Sequence, residues 1–130
     1  MNANTPDRES KGLLARQWRQ YTSAHRDRTN LAVHAATAPV FLAGTCALLA
    51  SPWAAPGAWK LAVAGAGLLA MMIAMVAQGR THQREESAPA PFRGPLDVAA
   101  RIFAEQWITF PRYVLSGAFA RAWRAGSRAP

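Results

Sequence analysis

The three histidines of this chain are the residues whose type and spacing most directly suggest chemistry. His25 precedes a long apolar run, His34 lies about one helical turn inside it, and His82 follows the end of a second run. Imidazole nitrogens bind zinc, copper, iron and nickel, and an ionisable side chain inside an apolar span generally marks a ligand, a pathway or a buried partner. If the two runs fold back on each other, the three imidazoles converge. The spacing therefore predicts a three-histidine metal site, with hydrogen-bonded structural histidines as the alternative.

Polar residues accompany two of the histidines at helical spacing. Tyr21 precedes His25 by four residues, so on a helix the two share a face. Asn30 stands in the same relation to His34. Such neighbours can hold an imidazole in the tautomer that a metal requires. Tyr21 and Asn30 are therefore candidates for the groups that support the ligands.

The acidic residues allow more than one interpretation. Glu85 follows His82 by three residues, the spacing at which helical carboxylate-iron proteins pair a histidine with a glutamate, so it is a candidate fourth ligand. Alternatively, Glu85 and Glu86 form a solvated pair. Glu105 is most simply expected to pair with Arg101, one turn earlier on the same predicted helix.

Two uncharged segments must position these residues. The segments 31–50 and 61–78 contain no charged side chain, and they predict membrane spans at 30–50 and 59–78. The short connection 51–57 is rich in Pro and Gly, so the spans must be antiparallel neighbours. The predicted fold is an all-α integral membrane hairpin with flanking amphipathic helices.

The stretch 26–30 separates His25 from His34. On one unbroken helix their nine-residue separation would place them on opposite sides. Asp27, Thr29 and Asn30 are good capping residues, so a new helix is expected to start within this stretch, and the break allows the two imidazoles to meet.

The remaining segments are predicted to flank the hairpin within a single domain, 11–125. Residues 1–10 are expected to be disordered, and amphipathic helices are predicted at 11–24, 97–110 and 112–124. Charged residues interrupt the last two helices. We expect these helices at the cytoplasmic interface, with two further short spans as the alternative.

The distribution of positive charge predicts the orientation. Six Lys or Arg residues precede the first span, eight follow Gln78, and the connection between the spans has none. Both termini are therefore expected in the cytoplasm. The same basic residues form a belt suited to the anionic leaflet of a membrane, so lipid and not nucleic acid is the expected partner.

Several other functional classes find no support in the sequence. There is no HExxH pair, no glycine-rich phosphate loop and no Ser-His-Asp set. The only cysteine, Cys46, has no partner for an internal disulfide and cannot form a thiolate cage, so it is expected to be a small apolar core residue.

The motif residues belong to a longer pattern along the chain, formed by Tyr21, His25, Asn30, His34, Pro39, Gln78, Gly79, His82, Glu85, Pro91, Phe92, Gly94, Pro95, Glu105, Gln106, Phe110, Pro111, Arg112, Leu115, Ser116 and Gly117. This pattern resembles a known family, the small membrane proteins that include fungal 2-hydroxypalmitate dioxygenase and its bacterial relatives, formerly a domain of unknown function. The resemblance covers residues 18–124, and its most specific part is the block of His25, Asn30 and His34.

The resemblance implies an Fe(2+)-dependent dioxygenase of fatty-acid α-oxidation in the bacterial inner membrane. Such an enzyme uses dioxygen to shorten a long-chain 2-hydroxy fatty acid by one carbon, with loss of carbon dioxide. The implied metal ligands are His25, His34 and His82, with Glu85 as a fourth ligand or a supporting group and Gln78 beside them. One of Arg80, Arg84 and Arg112 would hold the substrate carboxylate. The alternative is a non-catalytic lipid-binding or scaffold protein in which the histidines are structural.

Overall fold

Every regular element that the computed structural model describes, within residues 12–126, is a helix. The elements are α1 (Leu13–Tyr21), α2 (Arg28–Ala50), a 3-10 turn (Ser51–Trp53), α3 (Ala58–His82), α4 (Pro95–Ala104), a π-helical segment (Glu105–Thr109), α5 (Phe110–Leu115) and α6 (Ala118–Ala125). The expected all-α class is confirmed for this part of the chain. The predicted disordered segment 1–10 and the first residue of the predicted helix 11–24 lie outside the described residues.

Helices α2 and α3 pack against each other in antiparallel orientation. Helix α2 begins at Arg28, inside the stretch expected to start it, because the Asp27 side chain accepts a hydrogen bond from the Asn30 backbone N–H at 2.9 Å. The backbones approach most closely at Gly44 and Gly67, where a Cβ atom added to either glycine would lie 2.6 Å from the carbonyl oxygen of the other. Glycine is therefore required at both positions for this contact.

Both long helices are long and apolar enough to cross a membrane. In the most apolar window of α3 only 17% is buried within the protein, which leaves a continuous apolar surface. Its residues that are more than half exposed include Leu61, Leu69, Met72, Ile73 and Val76. Helix α3 also continues four residues beyond the predicted span 59–78, so that His82 is its last residue.

The segment from α4 to α5 forms one continuous helical stretch across the end of the hairpin. It passes through Pro111, where the sequence predicted a boundary between helices 97–110 and 112–124. In the π-helical segment the Phe110 N–H bonds to the Glu105 carbonyl, and Pro111, which has no N–H, occupies the first turn of α5. The break comes instead at Gly117, whose φ of 76° places it in the left-handed region before α6.

Helices α1, α5 and α6 pack around the start of α2. The Arg28 guanidinium donates hydrogen bonds to the carbonyls of Trp123 at 2.9 Å and Arg124 at 3.3 Å, which ties the end of α6 to α2. The buried apolar core around the start of α2 consists of Tyr21, Leu31, Ala38, Phe110 and Tyr113.

Cys46 was expected in the core, but its side chain is exposed. The nearby surface of α2 that meets α3 is formed instead by Gly44 and Ala47.

Candidate metal centre

The three histidines meet at the end of the hairpin opposite the 51–57 connection. The Nε2 atoms of His25 and His34 lie 3.4 Å apart. The ring of His82 lies 4.8 Å from that of His25 and 4.9 Å from that of His34 between centroids, and the rings are nearly perpendicular to one another. His25 and His34 are 2% and 0% exposed. The predicted convergence of the three imidazoles is thus present in the structure.

Glu105 completes the group. Its Oε1 atom lies 3.6 Å from Nε2 of His25 and 3.4 Å from Nε2 of His34. One ligand atom from each of His25, His34, His82 and Glu105 lies within 4.8 Å of those of the others. Three nitrogen donors and one carboxylate oxygen therefore surround a common point.

Backbone carbonyls orient two of the imidazoles. Nδ1 of His25 lies 2.9 Å from the Tyr21 carbonyl oxygen, and Nδ1 of His34 lies 3.0 Å from that of Asn30. When each Nδ1–H donates to its carbonyl, each Nε2 carries a free lone pair that points into the group. Tyr21 and Asn30 therefore support the histidines as expected, but through their backbones. The ring of Tyr21 also stacks on that of His25, with 3.8 Å between centroids.

The π-helical segment brings Glu105 to the histidines. Glu105 is its first residue, and the Tyr21 hydroxyl donates a hydrogen bond to Oε1 at 3.1 Å. The expected ion pair between Glu105 and Arg101 is wrong, because the Arg101 guanidinium contacts other groups. Its Nη1 lies 3.6 Å from Oδ2 of Asp97 and donates to the Pro91 carbonyl at 3.2 Å.

Glu85 lies outside the candidate metal-binding group of His25, His34, His82 and Glu105, which corrects its expected position as a fourth ligand. Helix α3 ends at His82, so Glu85 stands in the following turn and not on the helical face that the three-residue spacing assumed. Its carboxylate accepts hydrogen bonds from the backbone N–H groups of Arg26 and Asp27, at 2.9 and 3.1 Å, and from Nδ2 of Asn30 at 2.7 Å. Glu85 therefore fixes the loop between α1 and α2 that carries His25.

Two buried polar atoms beside the group have no hydrogen-bond partner among the described residues. They are Nδ1 of His82 and the hydroxyl of Tyr113. A buried polar atom without a partner costs free energy of about 1–3 kcal/mol. A bound ion that accepts a lone pair from His82 would remove one such cost, and this favours a ligand role for its imidazole.

The protonation states of His25 and Glu105 suit metal binding at neutral pH, because both side chains are unprotonated. Burial and the neighbouring His34 lower the pKa of His25 from 6.5 to about 3, so its imidazole is uncharged and can donate a lone pair. Burial alone would raise the pKa of Glu105, but the hydrogen bond with His34 and the adjacent imidazoles lower it below its usual range. Burial and the Glu105 carboxylate raise the pKa of Tyr21, which therefore remains a hydroxyl donor.

The spacing of the donor atoms fits a metal ion. Ligand bonds of about 2.1 Å place neighbouring donor atoms about 3.0–3.4 Å apart. The separations among the donor atoms of His25, His34 and Glu105 are 3.4–3.6 Å, at the upper end of this range or just above it, and the donor atoms of all four residues lie within 4.8 Å of one another. Imidazole and carboxylate donors suit iron, zinc and related transition metals. The group of His25, His34, His82 and Glu105 can therefore hold a metal ion.

A buried amide pair lies one helical turn before His82. Nε2 of Gln106 donates to Oε1 of Gln78 at 2.6 Å, and Nε2 of Gln78 donates to Oγ1 of Thr37 at 2.9 Å. Gln106 and Gln78 are 0% and 2% exposed. These bonds join α2, α3 and the π-helical segment directly beside the metal-binding group. Gln78, expected near the site, therefore holds together the helices that carry the ligands.

A cavity of about 330 Å³ adjoins the group. His25, His82 and Glu105 line one side of it, and Arg101 is the arginine in its wall. The three arginines proposed from the sequence to hold a substrate carboxylate are exposed residues outside the cavity wall, namely Arg80, Arg84 and Arg112. Arg112 instead stacks on the ring of Trp18, 4.1 Å from its centroid.

Sequence reasoning missed the role of Glu105. The sequence offered one signal. Glu105, Gln106 and Thr109 follow Ile102 by three, four and seven residues, so on a helix these polar side chains share a face with an apolar one. All three polar side chains face the interior of the helical cluster, where Thr109 donates a hydrogen bond to Gln17 at 2.7 Å.

Comparison of the chain with protein-family models, curated proteins and solved structures finds no match.

Proposed function

We propose that this protein is an iron(II)-dependent dioxygenase of fatty-acid α-oxidation, which shortens a long-chain 2-hydroxy fatty acid by one carbon. The observation that carries the proposal is the convergence of three imidazoles and the Glu105 carboxylate beside a cavity. The motif resemblance selects iron and the substrate class, since the donor set alone also suits zinc.

The overall reaction balances without a further reductant. A 2-hydroxy acid and dioxygen give the carboxylic acid with one carbon fewer, carbon dioxide and water, as the bond between C1 and C2 breaks. Iron(II), when bound, supplies the redox chemistry by which dioxygen carries out this oxidation. The four electrons that reduce dioxygen come from C1 and C2 of the substrate.

The residues of the chain have separate tasks in this proposal. His25, His34, His82 and Glu105 bind the metal, and the carbonyls of Tyr21 and Asn30 orient the first two imidazoles. The Tyr21 hydroxyl holds Glu105 in position. Burial of His25 and His34 keeps bulk water away from their donor atoms, so dioxygen and substrate reach the centre through the adjacent cavity.

We further propose that α2 and α3 span the bacterial inner membrane, with both termini in the cytoplasm. The exposed apolar surface of α3 supports this placement, because a soluble protein seldom leaves so continuous an apolar surface in water. The metal-binding group and most basic residues then lie at the cytoplasmic interface, where an acyl chain from the bilayer can reach the cavity.

Metal analysis of the purified protein tests the proposal. The protein is purified anaerobically with iron(II) in a neutral detergent, and iron and zinc are measured per chain. We expect about one iron per chain for the natural protein, less than a tenth of that for His34→Ala, and full occupancy for the exposed control Gln83→Ala. Full iron occupancy in His34→Ala would overturn the ligand assignment.

The competing function, a non-catalytic lipid-binding or scaffold protein, makes opposite predictions. It requires no stoichiometric metal and an unaltered fold after all three histidines are replaced by alanine. Binding to anionic vesicles that disappears at high salt, together with these two results, would favour it. Oxygen uptake upon addition of 2-hydroxypalmitate, with release of carbon dioxide, would favour the dioxygenase.

A further inference from the structure

The cavity beside the metal-binding group has one cationic side chain in its wall. Arg101 lies one helical turn before Glu105, so both face the same side of the helix. Most of the surface area of the wall is apolar, although uncharged amide side chains also line it, namely Gln17, Gln20 and Gln78. The apolar members include Ala24, Met75, Pro89, Ala90, Phe92 and Ile102.

The segment before α4 fixes the guanidinium of Arg101. Nη1 donates to the Pro91 carbonyl at 3.2 Å, and Cζ lies 4.5 Å from the centroid of the Phe92 ring. The Asp97 contact is long, at 3.6 Å, and involves the same Nη1 atom. The structure gives Nε and Nη2 no hydrogen-bond partner among the described residues. Arg101 is thus held in place while part of its donor set remains available.

We infer that this cavity binds a single-chain amphiphile with a carboxylate head, and that Arg101 is the residue that binds the carboxylate. A guanidinium forms paired hydrogen bonds with a planar carboxylate. The inference rests on the proposed function in taking this amphiphile as the substrate. It assigns the substrate-binding role to Arg101 in place of the exposed arginines suggested by the sequence.

The charges around the cavity favour a monoanion. Arg101 already shares its charge with Asp97, and Glu105 stands one turn away, so a doubly charged phosphate would meet two carboxylates for one guanidinium. A neutral alcohol would leave the available guanidinium donors without a charged acceptor. The best match is therefore one negative charge on a planar head.

The apolar part of the cavity wall indicates the direction in which the alkyl chain of the ligand runs. Met75 lies one turn deeper in α3 than Gly79 and leads toward the exposed apolar surface that includes Met72. A cavity of about 330 Å³ is at the small end of ligand sites, which range from about 300 to 1,000 Å³. The carboxylate and first carbons thus fit inside the cavity, while the rest of a long chain lies along α3.

A binding experiment on metal-free protein tests this inference separately from the metal site. The full-length protein is treated with chelator in neutral detergent, and the affinities for decanoate, decanol and decyl phosphate are measured by titration calorimetry. We expect decanoate to bind at least about tenfold more tightly than either of the others. Equal affinity for decanoate and decanol in the natural protein would overturn the carboxylate assignment, and preference for decyl phosphate would do so as well.

Charge variants assign the effect to Arg101. Arg101→Gln should weaken decanoate binding at least about tenfold and leave decanol binding unchanged, whereas Arg101→Lys should retain most of the preference. Arg19→Gln removes the same charge from an exposed position on α1 and should bind decanoate normally. A loss of decanoate affinity in Arg19→Gln equal to that in Arg101→Gln would show a general charge effect and refute the site.

A second pair of variants tests the cavity without changing its charge. A Cβ atom added at Gly79 meets no atom within 4 Å, and Gly79 lines the cavity, so we expect the leucine of Gly79→Leu to occupy space there and to abolish binding of both decanoate and decanol. Gly65→Leu adds the same side chain at an equally open position on α3 outside the cavity wall and should bind both. Normal decanoate binding by Gly79→Leu would refute the cavity. Iron content, measured in parallel, reports separately on the proposed metal site.

Discussion

The Nε2 atoms of His25 and His34 lie 3.4 Å apart, although the two residues are nine positions apart in the chain. His25 belongs to the loop between α1 and α2, while His34 lies in the second turn of α2. This contact exists because Asp27 caps a new helix between them and Glu85 accepts hydrogen bonds from the backbone of the same loop. The loop therefore places His25 against His34 in the metal-binding group.

Replacement of Glu105 should remove the metal. Glu105→Gln keeps the size of the side chain but eliminates the anionic donor, so we expect at least about a hundredfold weaker iron binding, measured by competition with a chelator. Glu86→Gln, an exposed change of the same kind, should bind iron normally. Unchanged affinity in Glu105→Gln would mean that the carboxylate is not a ligand.

Replacement of Glu85 should weaken metal binding without abolishing it. Glu85→Gln replaces the carboxylate that accepts hydrogen bonds from the N–H groups of Arg26 and Asp27 by a neutral amide. These hydrogen bonds become weaker, so the loop that carries His25 becomes less ordered. We expect iron affinity to fall about 10–100-fold while the saturated protein still holds one iron per chain. If Glu85→Gln lost stoichiometric binding and Glu105→Gln did not, the two assignments would have to be exchanged.

The close contact of α2 and α3 makes Gly44 sensitive to substitution. Gly44→Ala places a Cβ atom 2.6 Å from the Gly67 carbonyl oxygen, so the helices must separate, and we expect a loss of about 1–3 kcal/mol in the free energy of unfolding. Gly65→Ala meets nothing within 4 Å and should not destabilise the protein. Thermal unfolding in detergent, followed by circular dichroism, measures both. Equal stability of the two variants would contradict the packing.

The proposed topology predicts which sites are reachable from outside the cell. In a Cys46→Ser background, a cysteine at Ala55 should react with an impermeant thiol reagent on intact spheroplasts, and one at Ser87 should react only after lysis. Labelling of Ser87→Cys from outside would show that the orientation is the reverse of the proposed one. Labelling of both from one side would be inconsistent with two spans.

The hairpin and the meeting of the histidines could be predicted because both depend on local patterns. Two charge-free segments and a short connection rich in Pro and Gly predict antiparallel neighbours, and a cap between His25 and His34 predicts the break that lets them meet.

The roles of Glu105 and Arg101 could not be predicted because they depend on tertiary packing. Helical spacing makes the two residues natural ion-pair partners, and it cannot show that the stretch from α4 to α5 lies across the histidines. The structure turns Glu105 toward His25 and His34 and joins Arg101 to Asp97 and Pro91. Spacing also favoured Glu85, because it assumed that α3 continued beyond His82.

X-ray absorption at the iron edge tests most directly whether the four-residue group holds the metal. The spectrum of the iron-loaded protein reports the imidazoles bound to iron, and we predict about three imidazoles with additional oxygen ligands. The same measurement on Glu85→Gln, at saturating iron, should show the same three imidazoles. Iron bound by oxygen atoms alone, or by one imidazole, would contradict the account.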